Sequence, residues 1–245
     1  MSEATKRLRR KDLRAPDEFV TTTNQIVEWA RQNTQIVAIA AGALLAAVLI
    51  VVGVRWFIHG REERATRDFY AADELFKRQQ WDEAGKSFAE LAENLGGTSY
   101  GKLARLYVGR SALRAGKNAE AVTAIQEFLQ DPIGGPSIEQ LARLNLGSAL
   151  AGNGDAAAAR DQWAKALELD GPAKGEALIN LAQGEDKAGN KDKALELYQR
   201  YLQDEPEGAG RDLARTRIVA LGGTPPAAPS GLPGLPPGIN IGPAQ

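Results

Sequence analysis

Cysteine is absent from the 245 residues. That excludes disulfides, thiolate metal sites, a cysteine nucleophile and the lipid-bearing cysteine of a lipoprotein. It fits an oxidising envelope compartment without demanding one. Histidine occurs once, at His59, so no histidine cluster for a metal can be assembled. Aromatic residues make up 6% of the chain and hydrophobic residues 43%, with Ala, Leu, Glu, Lys and Arg dominant. Those side chains lose little rotamer freedom in a helix, so the composition favours helix over sheet. Basic charge is not in excess either. The net charge is −1, and residues 60–221 carry 22 Lys/Arg against 26 Asp/Glu. A nucleic-acid-binding domain needs a basic face, and this acidic balance argues against one.

Four regions separate along the chain. Residues 1–35 are polar and partly basic, with a cluster at Lys6, Arg7, Arg9, Arg10, Lys11 and Arg14. Residues 36–58 predict a transmembrane anchor. Its first nineteen residues, IVAIAAGALLAAVLIVVGV, hold no charge, and a helix of that length spans roughly 28 Å, about the thickness of a bilayer core. A soluble helix would keep a polar face, and this one has none. Arg55, Trp56 and Phe57 follow, a basic and aromatic group suited to the membrane interface. The run is too long for the apolar region of a signal peptide, and no A-x-A site lies just beyond it, which points to a permanent anchor. Residues 60–221 read as helices broken by short turns. In 222–245, 13 of 24 residues are Pro or Gly and none is charged; such a tail cannot build a core and is expected to be disordered.

Charge leaves the orientation of the anchor open. Only Arg31 lies close on the N-terminal side, against Arg55, Arg61, Arg64 and Arg67 on the other. Close counting alone puts the C-terminal side in the cytoplasm, while the cluster at 6–14 lies beyond the usual window.

Within 60–221 the sequence repeats. A turn residue precedes an Ala by five positions, and a bulky residue follows that Ala by four. The copies are Gln79, Ala84, Phe88; Gly116, Ala121, Ile125; Gly154, Ala159, Trp163; and Gly189, Ala194, Tyr198. A small residue lies seven before each turn, at Ala72, Gly109, Gly147 and Ala182. Antiparallel helices approach closely only where one presents a small residue and the other fills the space beside it. Gly at the turn adopts positive φ cheaply, and Asp155 and Asn190 suit the start of the second helix. Breakers separate the copies: Gly96-Gly97, Pro132 to Pro136, Gly171-Pro172 and Pro206. Residues 209–221 then predict a capping helix in which Leu213, Ile218 and Leu221 cover the last hairpin.

This spacing resembles the tetratricopeptide repeat (TPR). The expected fold is all-α: one N-terminal transmembrane helix, then a TPR-like α-solenoid of about four hairpins and a cap. More specifically, the chain resembles the YfgM-like family, ancillary subunits of the bacterial SecYEG translocon. The residues that carry this are Gln32-Asn33 before the span, Val54-Arg55-Trp56 after it, and the run from Thr98 to Ala104 opening the second hairpin. The resemblance covers about residues 32–205; the long N-terminus and the Pro/Gly tail depart from it. It implies a single-pass protein of the bacterial inner membrane, N-in and C-out, with periplasmic repeats near SecYEG and periplasmic chaperones. A TPR scaffold of another membrane complex, possibly facing the cytoplasm, is the alternative.

No constellation predicts an enzyme. Glu62-Glu63 and Glu185-Asp186 are neighbours on a helix and so point in different directions. Gly96-Gly97 lacks the Lys-Ser/Thr of a phosphate loop. No cofactor, metal or small-molecule substrate is expected. In a TPR stack the first helices line the concave face, and counting from the small residue places Tyr70, Asp73, Tyr107, Arg110, Asn145, Ser148, Asn180 and Gln183 on it as a candidate peptide groove. Asn145 and Asn180 hold equivalent positions from which an amide can reach an extended peptide. The set lacks the paired lysines of a carboxylate clamp, so recognition of a peptide C-terminus is not expected. In the anchor, Ala38, Gly42 and Ala46 lie four apart, a face on which another membrane helix can pack closely.

Overall fold

Four backbone turns organise the repeat region, and all four have the same geometry. The computed structural model describes residues 18–226. Gln79, Gly116, Gly154 and Gly189 have φ of 62°, 76°, 91° and 80°. In each turn the residue after the left-handed position donates back to a carbonyl five residues earlier: Gln80 to Leu75, Lys117 to Ala112, Asp155 to Leu150 and Asn190 to Glu185, at 2.9–3.0 Å. A second bond runs from each left-handed residue to the carbonyl three before it. These paired bonds are the Schellman closure, which satisfies carbonyls that the end of a helix leaves open.

The described chain is helical, with no strand among its residues. Its elements are α1 (Glu18–Gln32), α2 (Thr34–Lys77), α3 (Trp81–Leu95), α4 (Ser99–Arg114), α5 (Asn118–Phe128), α6 (Gly135–Gly152), α7 (Ala156–Glu168), α8 (Lys174–Lys187), α9 (Lys191–Asp204) and α10 (Arg211–Ala220). The chain divides into two units, one ending at Gly60 and the other starting at Arg61.

The first unit holds α1 and the N-terminal part of α2. The stretch before the apolar run is thus helical from Glu18, where the sequence suggested only a polar segment. Residues 36–54 are exposed throughout, and α2 is long and apolar enough to be a candidate membrane span. Helix α2 also continues without a break through His59 and Gly60, where the sequence reading placed a boundary.

In the second unit, residues 61–77 share a buried cluster with α3, Ala65, Phe69 and Ala72 meeting Ala84, Phe88 and Leu91; α4 pairs with α5, α6 with α7 and α8 with α9, and α10 packs on α9. Helix α4 also reaches α6. The small residues lie where the helices close up: Ala72, Ala84, Ala121, Ala159, Ala182 and Ala194 are fully buried. A side-chain carbon at Gly109 would collide with Ile125, and one at Gly147 with Trp163. Phe88, Ile125, Trp163 and Tyr198 fill the space beside the alanines.

Three of the loops between helices are held by polar side chains. Thr98 caps α4, accepting from Gly101 N–H at 3.0 Å while its hydroxyl donates to the Leu95 carbonyl. The amide of fully buried Gln140 donates to the Ala166 and Leu169 carbonyls and accepts from Ala173 N–H, tying α6 to the loop before α8. The Tyr201 hydroxyl accepts from Gly210 N–H at 2.8 Å. Asp155 caps α7 through Ala158 N–H, whereas Asn190 makes no cap bond and donates instead to Glu185.

The cap differs from expectation in one respect. Ala214 and Ile218 are the buried residues of α10, and Leu213 points outward, 41% exposed. Arg217 fastens α10 to Asp186 of α8 at 2.6 Å, with the Tyr198 hydroxyl donating to the same carboxylate at 3.4 Å. Burial, with the charge of Asp186 second, pushes the Tyr198 phenol up to about 12. After α10, Arg215 donates to the Pro226 carbonyl. The cluster at 6–14 and most of the Pro/Gly tail, from 227 onward, lie outside the described residues.

Candidate functional site

The eight groove candidates fall into three groups. Tyr70 and Asp73 of α2 and Tyr107 and Arg110 of α4 belong to an aromatic surface at the first hairpin. Phe69 is its buried centre, with ring centroids 5.2 Å from Phe88 and 4.9 Å from both Tyr100 and Tyr107. Phe76 stacks edge-on against Trp81 at 4.8 Å. Tyr70 is 55% exposed, and its hydroxyl lies 3.4 Å from that of Tyr100. This contact, and burial after it, raise the Tyr100 phenol above its usual value. The Arg110 guanidinium sits over Tyr107 at 4.5 Å and Phe76 at 5.3 Å, in cation–π range. Asp73 is engaged with Lys77 at 2.8 Å.

Asn145 and Ser148 of α6 form the second group, and both are half-buried. Each bonds back to its own helix: one Asn145 amide N–H to the Leu141 carbonyl at 2.6 Å, and the Ser148 hydroxyl to that of Leu144 at 3.1 Å. What Asn145 retains for a partner is its amide oxygen and its second amide N–H.

The third group, Asn180 and Gln183 of α8, lines a cleft of about 190 Å³. Arg160, Trp163 and Lys187 share it with Ala151 from the end of α6. Gly184 makes the approach possible, since an added side-chain carbon there would lie 2.8 Å from Arg160 and 3.0 Å from Trp163. Ligand pockets for small molecules run to about 300–1,000 Å³. This cleft suits one side chain of a peptide. Beside it, buried Glu185 takes a bond from Lys193 at 2.6 Å and one from Asn190, with Arg160 at 3.6 Å. Burial pushes the Glu185 carboxyl up, but these partners outweigh it and hold the group below the usual value.

Sequence spacing alone did not find Phe69, Phe76, Trp81 and Tyr100 as partners of Tyr70 and Tyr107. A signal was present, because seven of the fifteen aromatic residues fall between 69 and 107. Ala38, Gly42 and Ala46 lie exposed on α2, and an added carbon at Gly42 meets nothing within 4 Å. Among the described residues, no group of three or more acidic, His or Cys side chains is placed to hold a metal.

The tetratricopeptide repeat-like domain matches residues 28–223. The chain belongs to this family. Its solved likenesses agree on the fold. A crystal structure of MamA protein covers 65% of this chain and 81% of its own, at 21% identity and TM-score 0.55. A Podosopora anserina putative kinesin light chain with nearly identical TPR-like repeats covers 65% and 86%, at 14% identity and TM-score 0.54. No curated protein sequence matches the chain. Helical repeats of this family present stacked faces to other proteins, so this member is an interaction scaffold with protein partners.

Proposed function

We propose that this TPR protein is a single-pass scaffold of the bacterial inner membrane, an ancillary component of the Sec translocon that links it to emerging clients or periplasmic chaperones. The observation that carries the reading is α2, whose uncharged run of nineteen residues buries nothing and which also supplies Phe69 and Ala72 to the first hairpin. The resemblance to the translocon-associated family supplies the partner and the periplasmic orientation. Ala38, Gly42 and Ala46 are the surface offered to a neighbouring membrane helix. The repeats offer two grips to an extended client: the aromatic surface around Tyr70, Tyr107 and Arg110, and the cleft of Asn180 and Gln183. No catalytic role is assigned.

Topology and copurification test this. An alkaline phosphatase fused after Leu221 is expected to be active, and a fluorescent protein fused there dark. The channel is expected to copurify with the full chain, and less so with Gly42→Leu, because added bulk keeps a partner helix away. An inactive phosphatase with a glowing fluorescent fusion would reject the periplasmic reading. The arginines at 55, 61, 64 and 67 favour the second reading, a cytoplasm-facing scaffold, and that outcome would select it.

A further inference from the structure

The cleft beside α8 is lined by cations and amides, with no acid among its described lining residues. Asn180, Gln183 and Lys187 follow one another at steps of three and four on α8, so they form one stripe of that helix. Asn180 and Gln183 are half-buried, yet neither side-chain amide has a bond among the described residues. Lys187, exposed on the same stripe, has no ion pair among them either. Arg160 joins the lining from α7. Its Nη1 donates to the Ala156 carbonyl at 3.2 Å, and its Nε lies 3.6 Å from Glu185. Glu185 is already paired with Lys193 at 2.6 Å and bonded by Asn190, so the Nη2 donors of Arg160 remain for a partner. The wall between the cations is apolar. The Trp163 indole N–H is spent on the Leu144 carbonyl, and the six-membered ring of that indole lies beside Gly184.

We infer that this cleft receives an acidic side chain from an extended segment of a client, its methylenes against Trp163 and its carboxylate between Arg160 and Lys187. The inference deepens the reading of the cleft as a grip on an extended client and rests on it. Three observations select this occupant. Two cations with no acid beside them leave a positive charge that a carboxylate complements, and a carboxylate takes charge-assisted bonds from both. The volume of about 190 Å³ holds one side chain and falls below that of small-molecule pockets. The amides of Asn180 and Gln183 each offer a donor and an acceptor, as the backbone of an extended chain requires on either side of the inserted residue. Other side chains fit worse. A basic one meets two like charges, and a purely apolar one covers the Arg160 donors without giving them a bond. Glu185 holds Arg160 in place by charge while leaving its Nη2 donors open.

Peptide binding to the full chain in detergent tests this. The probes are short end-blocked peptides of Ser and Thr carrying a neutral dye, with Glu, Gln, Leu or Lys at the centre, and binding is read by fluorescence anisotropy. The Glu peptide is expected to bind several-fold more tightly than the Gln and Leu peptides, with the Lys peptide weakest. The preference for Glu over Gln is expected to shrink as salt rises. Lys187→Gln and Arg160→Gln are each expected to abolish it. Lys187 is exposed and unpaired among the described residues, so its substitution leaves the fold intact, and circular dichroism checks Arg160→Gln. Tightest binding of Leu, or a Glu preference that survives both substitutions, would overturn the inference. A Gln peptide with a free C-terminal carboxylate that matches the end-blocked Glu peptide would give the cleft to a chain terminus instead. The readings fail separately. Equal affinity for Glu, Gln and Leu, lost on Asn180→Ala, keeps the cleft as a grip and rejects its acidic choice. A chain that binds no peptide yet copurifies with the channel keeps the scaffold and rejects the cleft. An inactive phosphatase fusion with the Glu preference intact moves the scaffold to the cytoplasm and keeps this inference.

Discussion

Gln79 occupies a backbone position that its three counterparts fill with glycine. Its φ of 62° costs an L-residue about 1–2 kcal/mol relative to a right-handed conformation. Gln79→Gly is therefore expected to stabilise the repeat domain by about 1 kcal/mol, and Gly154→Gln to destabilise it by a similar amount, both read from the midpoint of denaturant unfolding. Glu185 makes a prediction in pH. Its folded-state value lies below the ordinary 4.5, so its bonds to Lys193 and Asn190 contribute fully above about pH 4.5. That contribution is lost as pH falls through the lower folded value. Glu185→Gln should lower stability at pH 7 and flatten its fall between pH 5 and 3; parallel curves for the two proteins would remove Glu185 from the acid transition. Asn145 and Ser148 mark the limit of reading sites by spacing. Position suggested the inner face for them, but not the back-bonds to Leu141 and Leu144 that engage the Asn145 amide and the Ser148 hydroxyl.

Helices paired into hairpins were the most legible level, because a left-handed turn advertises itself through Gly116, Gly154 and Gly189, and close approach through the buried alanines. Ala159 tests that register. It is fully buried where α7 meets its partner, so Ala159→Trp should overpack the third hairpin and cost about 1–3 kcal/mol. An unchanged melting temperature would mean the helices are not packed through that residue. Helix α1 was hidden for a physical reason. Thr21-Thr22-Thr23-Asn24 has low intrinsic helix propensity and reads as a loop. Helix α2 runs through Gly60 because one glycine inside a helix costs only about 1 kcal/mol, too little to end it. In the cap, the choice of Ala214 over Leu213 as the inward residue turns on one step of about 100° in helix phase, finer than the pattern of a ten-residue helix resolves.

At the scale of the whole chain, the repeat unit from Arg61 contains all three buried clusters and its own cap. A fragment of residues 61–226 is expected to be soluble and cooperatively helical without the apolar run, as judged by circular dichroism. Aggregation of a monodisperse preparation on removing detergent would show that the repeats need the apolar run to fold. Stacked repeats of this kind lose structure by seams, since each contacts only its neighbours. The seams here are unequal. Thr98, Gln140 and Tyr201 each clasp one loop with bonds to buried or half-buried backbone, whereas the loop between α5 and α6 has the exposed Lys102–Asp131 pair and two left-handed glycines in succession, Gly134 and Gly135. Transient opening should therefore start there. Under brief digestion with a nonspecific protease, the first cut in the 61–226 fragment is expected between 130 and 137, leaving two pieces that each keep whole hairpins. The same seam gives the scaffold a built-in fault line: tension applied along the stack would part it into pairs of hairpins before it unravelled any helix.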